Sequence, residues 1–127
     1  MRLIHAALVS RSEDRADRFF ANVLGLEKTR KSELSAELAD RLFGVDAGCE
    51  IVYYGSGDLE IEVFLTAPPE VAAGRVDHLC LEVASRAELL ARCAAAGVPV
   101  REAPKGDYVV VFIEDEDGNL YEIKERR

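Results

Sequence analysis

The sequence repeats itself once, and this repeat constrains the fold more than any other feature. Residues 3–9 form an apolar run typical of a buried strand, and the N-capping residue Ser12 then opens a helical pattern. The same order restarts at residues 76–83, where a second strand-like run leads into Ser85 and a second helical pattern. Ser85 lies 73 positions after Ser12. The chain is therefore predicted to contain two copies of one structural module.

Both predicted helices are followed by further strand-like runs. The first helix ends at Gly25 and the second at Gly97, each after an apolar stripe that would pack on a sheet. Strand-like runs then follow at residues 50–54 and 59–65 in the first half, and at residues 98–101, 108–113 and 120–124 in the second. This order predicts an α+β fold: one domain over residues 1–127, made of two tandem βαβββ modules at about 1–67 and 74–127. Neither module can cover both faces of its sheet, so we expect the modules to pair with each other or with a second chain.

The two halves differ in length. Glu122 aligns with Glu62 at a separation of 60 residues rather than 73, so the first half carries about 13 extra residues within residues 27–49. Leucines spaced four apart predict a short extra helix there: Leu34, Leu38 and Leu42. The linker between the halves is predicted at residues 66–75, where a Pro-Pro pair imposes an extended turn and small residues add slack.

The composition excludes some classes of binding partner and indicates a cellular compartment. The chain has 127 residues, of which 49% are hydrophobic, enough for a packed core without a disulfide or a structural zinc ion. Its net charge of −8 argues against nucleic acid or an anionic membrane as a partner, because both require clustered positive charge. Three cysteines without a C-x-x-C spacing, and no apolar run long enough to cross a membrane, indicate a cytoplasmic protein.

The chain's only two histidines, His5 and His78, occupy equivalent positions in the repeat. A single histidine in an apolar strand is more often structural than a ligand, but each half also offers a carboxylate on an equivalent later strand, Glu62 or Glu122. Side chains alternate between the faces of a strand, so two imidazoles and two carboxylates would converge if a pseudo-twofold axis relates the modules. Such a set suits a divalent ion such as Ni, Co, Zn, Mn or Fe(II), with positions left open for substrate.

Two neighbouring residues are further candidates for this site. Glu60 shares a face with Glu62 and is its main rival as a ligand, although the repeat favours Glu62 because only that residue aligns with the glutamate of the second half. Cys80 lies two residues after His78 on the same face, which makes it a candidate for lining the pocket. Its alternative role, a small apolar filler, is the commoner one for cysteine.

These residues together resemble a known family. His5 in the first strand, the segments 19–26 and 76–78, and the segment 112–122 resemble the vicinal oxygen chelate superfamily. That group includes glyoxalase I, methylmalonyl-CoA epimerase, extradiol dioxygenases, fosfomycin-resistance enzymes and bleomycin-resistance proteins. The first five residues and the length are most similar to short bacterial glyoxalase I, lactoylglutathione lyase. The resemblance implies a half-barrel sheet, a homodimer and one divalent metal ion, most often nickel, cobalt or zinc, held by four ligands: His5, Glu62, His78 and Glu122.

The resemblance also implies a reaction. Glyoxalase I converts the hemithioacetal of methylglyoxal and a thiol into a lactoyl thioester by a proton shift through an ene-diolate. By resemblance, Glu122 is the base and Glu62 its mirror. One alternative is an epimerase like the methylmalonyl-CoA enzyme, which Glu62 disfavours because such epimerases often have Gln there. Another is a metal-free small-molecule-binding protein of the bleomycin-resistance type, which needs no paired histidines. Dioxygenases and fosfomycin thiol transferases usually need two histidines and one carboxylate, so a second glutamate argues against both.

The substrate-binding positions depart from the family pattern. Family glyoxalases usually place an arginine a few residues after the first histidine and an asparagine shortly after the first glutamate, both near the glutathione. The matching positions here hold Val9, with Arg11 displaced by two, and Thr66. The candidate substrate-binding residues are therefore Arg11, Thr66 and Cys80, and the identity of the thiol is left open.

Overall fold

The computed structural model describes residues 1–70 and 74–127, and within them the chain forms two compact units, Met1–Pro68 and Pro69–Arg127. The predicted linker at 66–75 spans the boundary between these units, and its residues 71–73 lie outside the described part. In the described ranges, no helix combines the length and the apolar character needed to cross a bilayer.

The first unit is a four-stranded mixed sheet with two helical segments. Its strands are β1 (Ala6–Ser10), β2 (Glu27–Leu34), β3 (Cys49–Ser56) and β4 (Leu59–Leu65), arranged in the order β1-β4-β3-β2. Strand β1 runs parallel to β4, and the remaining pairs are antiparallel. Helix α1 (Glu13–Ala16) continues into a π-helical segment, Asp17–Val23, and helix α2 (Ala36–Phe43) connects β2 to β3.

The second unit repeats this arrangement with one helix. Its strands are β5 (Leu79–Val83), β6 (Val100–Lys105), β7 (Tyr108–Glu114) and β8 (Leu120–Glu125), in the order β5-β8-β7-β6. Helix α3 (Arg86–Ala96) connects β5 to β6. Strand β5 is parallel to β8, as β1 is to β4. The predicted α+β fold of two βαβββ modules is therefore confirmed.

Local sequence signals account for the helix boundaries. The side chains of Ser12, Ser35 and Ser85 each accept a hydrogen bond from a backbone N–H three residues later, which satisfies a donor at the start of each helix. Helices α2 and α3 end at Gly44 and Gly97, both with the positive φ that glycine adopts without strain. The extra helix predicted around the three leucines is confirmed as α2, although Leu34 is the last residue of β2 rather than part of the helix.

The strands differ from the predictions in several places, and β6 begins at Val100 rather than at residue 98. Strand β2 was not predicted, because its sequence EKTRKSEL is polar and six of its eight residues are exposed, so it carries no apolar signal. Strands β1 and β5 begin at Ala6 and Leu79, later than the apolar runs at 3–9 and 76–83 indicate. Both histidines consequently lie immediately before a strand rather than within one.

The two faces of the first sheet have different surroundings. Tyr54 is fully buried, its ring stacks on Phe20 at a centroid distance of 5.2 Å, and its hydroxyl donates to Asp17 at 2.7 Å. The face that Tyr54 shares with Ile61 and Val63 therefore packs against α1 and the π-helical segment. Alternation places Glu60, Glu62 and Phe64 on the opposite face, hereafter the Glu62 face.

Candidate metal centre

The first unit brings His5 against Glu62. Ala6 and Ala7, which follow the histidine, pair with Ile61 and Glu62 of the parallel strand β4. His5 Nε2 lies 3.2 Å from Glu62 Oε2, with the glutamate side chain only 16% exposed and the histidine side chain 40% exposed. The pair is thus accessible from solvent on one side while its carboxylate is held in the sheet.

Glu60 lies close to the same pair. The ligand atoms of His5, Glu60 and Glu62 all lie within 4.8 Å of one another, a spacing that could hold a metal ion. The Glu60 side chain is 36% exposed, and its Oε1 is 3.9 Å from Nη2 of Arg30. Of the two carboxylates, Glu62 is the more buried and makes the ion-pair contact with the imidazole, while Glu60 makes a longer ion pair with Arg30.

The second unit contains an equivalent pair with an oriented histidine. His78 Nε2 lies 3.6 Å from Glu122 Oε2. The other ring nitrogen, Nδ1, lies 2.7 Å from the carbonyl oxygen of Val76, which can only accept, so Nδ1 carries the proton. In the neutral ring the lone pair is then on Nε2, the atom that faces the glutamate. Phe112 packs edge-on against this imidazole with ring centroids 4.8 Å apart. Such a backbone partner is the usual way in which a protein orients a metal-binding histidine.

A buried turn holds Glu122 in place. Asp115 is 7% exposed and accepts hydrogen bonds from the backbone N–H groups of Asp117 and Asn119, from the Asn119 amide and from the Tyr121 hydroxyl. Burial raises the pKa of Asp115, and the hydrogen bonds from Asn119 and Tyr121 oppose that rise. Because this turn joins β7 to β8, it sets the position of the residue that follows Tyr121, Glu122.

Cys80 lies beside Glu122 in the paired strands β5 and β8. Desolvation raises the pKa of the Cys80 thiol, and the negative charge of Glu122 raises it further, so the sulfur stays protonated near neutral pH. Lys124 Nζ is 3.7 Å from the other carboxylate oxygen of Glu122. The thiol therefore borders the candidate ligand pair as a neutral group.

Arg11 and Thr66 lie at the opposite end of the β1–β4 pair from His5. Arg11 follows the last residue of β1, and the backbone N–H of Thr66 donates to the Ser10 carbonyl at 3.0 Å. Six residues of extended chain separate Arg11 from His5, which corresponds to roughly 20 Å. The structure brings these two predicted substrate-binding residues near each other and leaves them far along the strand from the histidine.

Residues that the sequence did not single out lie next to the candidate ligands. Tyr53 pairs with Glu62 and Arg30 pairs with Tyr53, while Phe112 pairs with Glu122 in the second sheet. Paired residues on neighbouring strands point to the same face, so these side chains flank the carboxylates. Arg30 could not be found from the sequence because its strand, β2, has no apolar pattern.

Each unit therefore supplies one imidazole nitrogen and one carboxylate oxygen close together. Ligands about 2.1 Å from a divalent ion are typically about 3 to 3.5 Å apart, so the 3.2 Å separation lies within this range and the 3.6 Å separation lies just above it. All four donors are of the types that divalent first-row metals prefer.

Comparison with known proteins identifies a family match along almost the whole chain. The family model described as Glyoxalase/Bleomycin resistance protein/Dioxygenase superfamily matches residues 2–123. No curated protein matches the chain significantly.

Solved structures share the fold at low identity. The glyoxalase family protein from Bacillus cereus is 23% identical, with 98% of this chain and 93% of that chain covered and a TM-score of 0.72. The trypanothione-dependent glyoxalase I of Leishmania major is 21% identical, covering 98% and 86%, with a TM-score of 0.70. A mutant of the fosfomycin resistance protein FosX from Listeria monocytogenes, complexed with Mn(II) and dihydroxypropylphosphonic acid, is 19% identical, covering 97% and 88%, with a TM-score of 0.69.

Proposed function

We propose an activity from the premise that the chain belongs to the Glyoxalase/Bleomycin resistance protein/Dioxygenase superfamily. The proposed function is that of a divalent-metal-dependent lyase similar to glyoxalase I, which converts a methylglyoxal–thiol hemithioacetal into the lactoyl thioester through an ene-diolate. The superfamily contains metal-dependent enzymes of several activities, so the finer assignment depends on this chain's own residues.

One observation carries the proposal: the same pair of side chains occurs in both units. His5 and Glu62 are 3.2 Å apart, and His78 and Glu122 are 3.6 Å apart, at equivalent positions before the first strand and within the last strand of each unit. A structural role for one histidine would not require a carboxylate beside it, and it would not require the same arrangement twice. We assign all four residues to one metal ion.

The proposed reaction needs a metal ion, which the four residues would hold, and a base that moves a proton. A divalent ion in this ligand set would act as a Lewis acid that stabilises negative charge developing on substrate oxygens. A carboxylate must take the proton from the substrate carbon and return it to the neighbouring carbon. We assign this role to Glu122, which the Asp115 turn holds in the sheet, with Glu62 as its counterpart. Phe112, the protonated Cys80 and the ammonium group of Lys124 border the Glu122 side of the site.

We also propose an oligomeric state and a cellular compartment for the protein. We propose a homodimer, because each unit covers one face of its sheet with a helix and carries its candidate ligands on the other. The three cysteines are free thiols, which accords with the proposed cytoplasmic location. Neither extension is needed for the catalytic assignment.

Metal analysis and a thiol panel test the function. Protein purified without added metal should contain about one divalent ion per chain. Loaded in turn with Ni, Co, Zn and Mn, it should convert methylglyoxal in the presence of glutathione or another low-molecular-weight thiol. Bound metal without turnover of any thiol adduct would overturn the lyase assignment in favour of an epimerase acting beside a thioester. Protein that binds no metal would overturn it in favour of a small-molecule-binding protein.

A further inference from the structure

A row of three side chains crosses the first sheet on the Glu62 face. Glu62 on β4 pairs with Tyr53 on β3, and Tyr53 pairs with Arg30 on β2. The guanidinium carbon of Arg30 lies 3.6 Å from the centroid of the Tyr53 ring, a cation–π contact on a side chain that is only 5% exposed. The ring holds the guanidinium on the same face as the candidate metal ligands.

Arg30 has hydrogen-bonding capacity that its present contacts do not use. Its side chain is 55% exposed, and its ion pair with Glu60, at 3.9 Å, is longer than a hydrogen bond. The neighbouring cations of β2 behave differently, since Lys28 and Lys31 both contact Glu13 at 2.8 Å. Within the part of the chain that the structure describes, Arg30 is thus a positioned cation on the Glu62 face whose N–H groups are not taken up by a close carboxylate.

In the second unit the equivalent arginine has a close carboxylate partner. Glu122 pairs with Phe112, and Phe112 pairs with Arg101, which repeats the order carboxylate, aromatic ring, arginine. Arg101, however, donates directly to the carboxylate of Glu114 in a close ion pair. The row is therefore common to both units, and only the first leaves its arginine without a close carboxylate.

We propose that Arg30 binds an oxyanion group of the substrate. The inference rests on the proposed function in that the anion belongs to the molecule held at the His5–Glu62 pair. Neighbouring strands are about 4.8 Å apart, so Arg30 lies two strands, or about 10 Å, from Glu62 along the row. A small thiol carrying a carboxylate, or an adduct carrying a phosphate, can span that distance. The planar guanidinium offers two parallel N–H donors to either group.

Amide NMR titration tests this binding without turnover. Inorganic phosphate and 3-mercaptopropionate are titrated into ¹⁵N-labelled protein, with neutral 2-mercaptoethanol as the comparison ligand. We expect saturable shifts at residues 28–32 and 51–54 with the anions alone, and dissociation constants about five- to tenfold weaker in Arg30→Gln. A response to 3-mercaptopropionate only would identify the carboxylate as the source, and a response to phosphate only would identify the phosphate.

Arg18→Gln is the matched control, because it removes the same charge from the helical segment that covers the opposite face of the sheet. It should bind both anions as the wild type does. Absence of saturable shifts in the wild type, or equal affinity in Arg30→Gln, would overturn the proposal.

Steady-state kinetics distinguish an absent anion site from an absent lyase activity. In metal-loaded enzyme, the ratio of kcat/KM for the 3-mercaptopropionate adduct to that for the 2-mercaptoethanol adduct should fall about five- to tenfold in Arg30→Gln and stay constant in Arg18→Gln. Wild-type protein that turns over neither adduct but shows the anion shifts would refute the lyase assignment and retain the anion site. Where the wild type shows saturable shifts with 3-mercaptopropionate, an unchanged ratio in an active Arg30→Gln enzyme would refute the anion site and retain the lyase.

Discussion

At the scale of single residues, the orientation of a candidate metal ligand depends on a neighbouring group that takes no part in the proposed chemistry. The Val76 carbonyl fixes which nitrogen of His78 carries the proton, and thereby aims the basic Nε2 at Glu122. In the first unit, His5 Nε2 lies 3.2 Å from Glu62, while Glu60 lies 3.9 Å from Arg30. A backbone carbonyl thus decides which atom of the His78 ring faces Glu122.

The base assignment predicts separate effects on metal and turnover. Glu122→Gln keeps a ligand oxygen of similar size but removes the basic carboxylate, so kcat should fall by about a hundredfold or more while metal remains bound. Metal content by mass spectrometry and methylglyoxal–thiol turnover are measured on the same sample. Cys80→Ser, next to the same glutamate, should change kcat by less than about threefold. Near-normal turnover in Glu122→Gln would contradict the assignment.

The Asp115 turn predicts a stability effect of one hydroxyl. Tyr121→Phe removes the hydrogen bond to Asp115 Oδ2, 2.9 Å long, from a fully buried side chain. Loss of a hydrogen-bond donor to a buried carboxylate lowers the free energy of unfolding by about 1–3 kcal/mol. Tm should therefore fall by about 4 °C or more. Tyr108→Phe is the control, because Tyr108 is 56% exposed. Equal melting temperatures for the two variants in calorimetry would contradict the structural role of the turn.

At the scale of elements, the polar strand β2 is held at the sheet edge largely by charge and by hydrogen bonds to β3. Its lysines Lys28 and Lys31 both reach Glu13 at the start of α1, and Lys28 also contacts Asp17. These ion pairs tie the edge strand to the helix that covers the opposite face from Glu62. They also explain how a strand without apolar alternation can be stable in the fold.

The Glu13 cluster predicts a stability difference that depends on pH. Hydrogen bonds from Lys28 and Lys31 lower the pKa of Glu13, so its contribution is present above the unfolded value near 4.5 and is lost as pH falls through the lower folded pKa. Glu13→Gln should therefore lower Tm by about 2–4 °C at pH 7 and much less near pH 3.

Asp14→Asn is the matched control for this variant, because it removes a carboxylate from the same helical turn. It shares any effect of the helix dipole but leaves the lysine contacts of Glu13 intact. The two variants are compared by thermal melts at both pH values. A decrease in Tm that is the same at pH 3 and pH 7 would rule out the ionised carboxylate as its origin.

At the scale of the whole molecule, the repeat places one candidate ligand pair in each unit. Assignment of the two pairs to a single ion makes metal binding sensitive to either unit. Because a ligand that binds only the folded state stabilises it, treatment of the metal-loaded protein with EDTA should lower Tm by about 5–10 °C. His5→Ala and His78→Ala should each abolish most of this difference.

A carboxylate away from the candidate ligands provides the control for the chelation experiment. Glu50→Gln removes a charge from β3 on the face opposite Glu62 and should leave the EDTA effect intact. If only one histidine variant loses the effect, the assignment of all four ligands to one ion is wrong. The measurement is differential scanning fluorimetry with and without chelator, together with metal content.

The sequence by itself determined the duplicated α+β architecture, the helix caps and the set of two histidines and two aligned glutamates. These follow from local chemistry: capping side chains, period-two alternation and the spacing of the repeat act within a few residues. The repeat favours Glu62 over Glu60, but only the tertiary structure shows which carboxylate contacts His5, because the two glutamates share a face and alternation cannot separate them. The placement of the side chains separates them, since His5 Nε2 lies 3.2 Å from Glu62 Oε2, and the pairing of β2 with β3 brings Arg30 beside Tyr53. Both depend on contacts between residues distant in the chain, which no local pattern encodes.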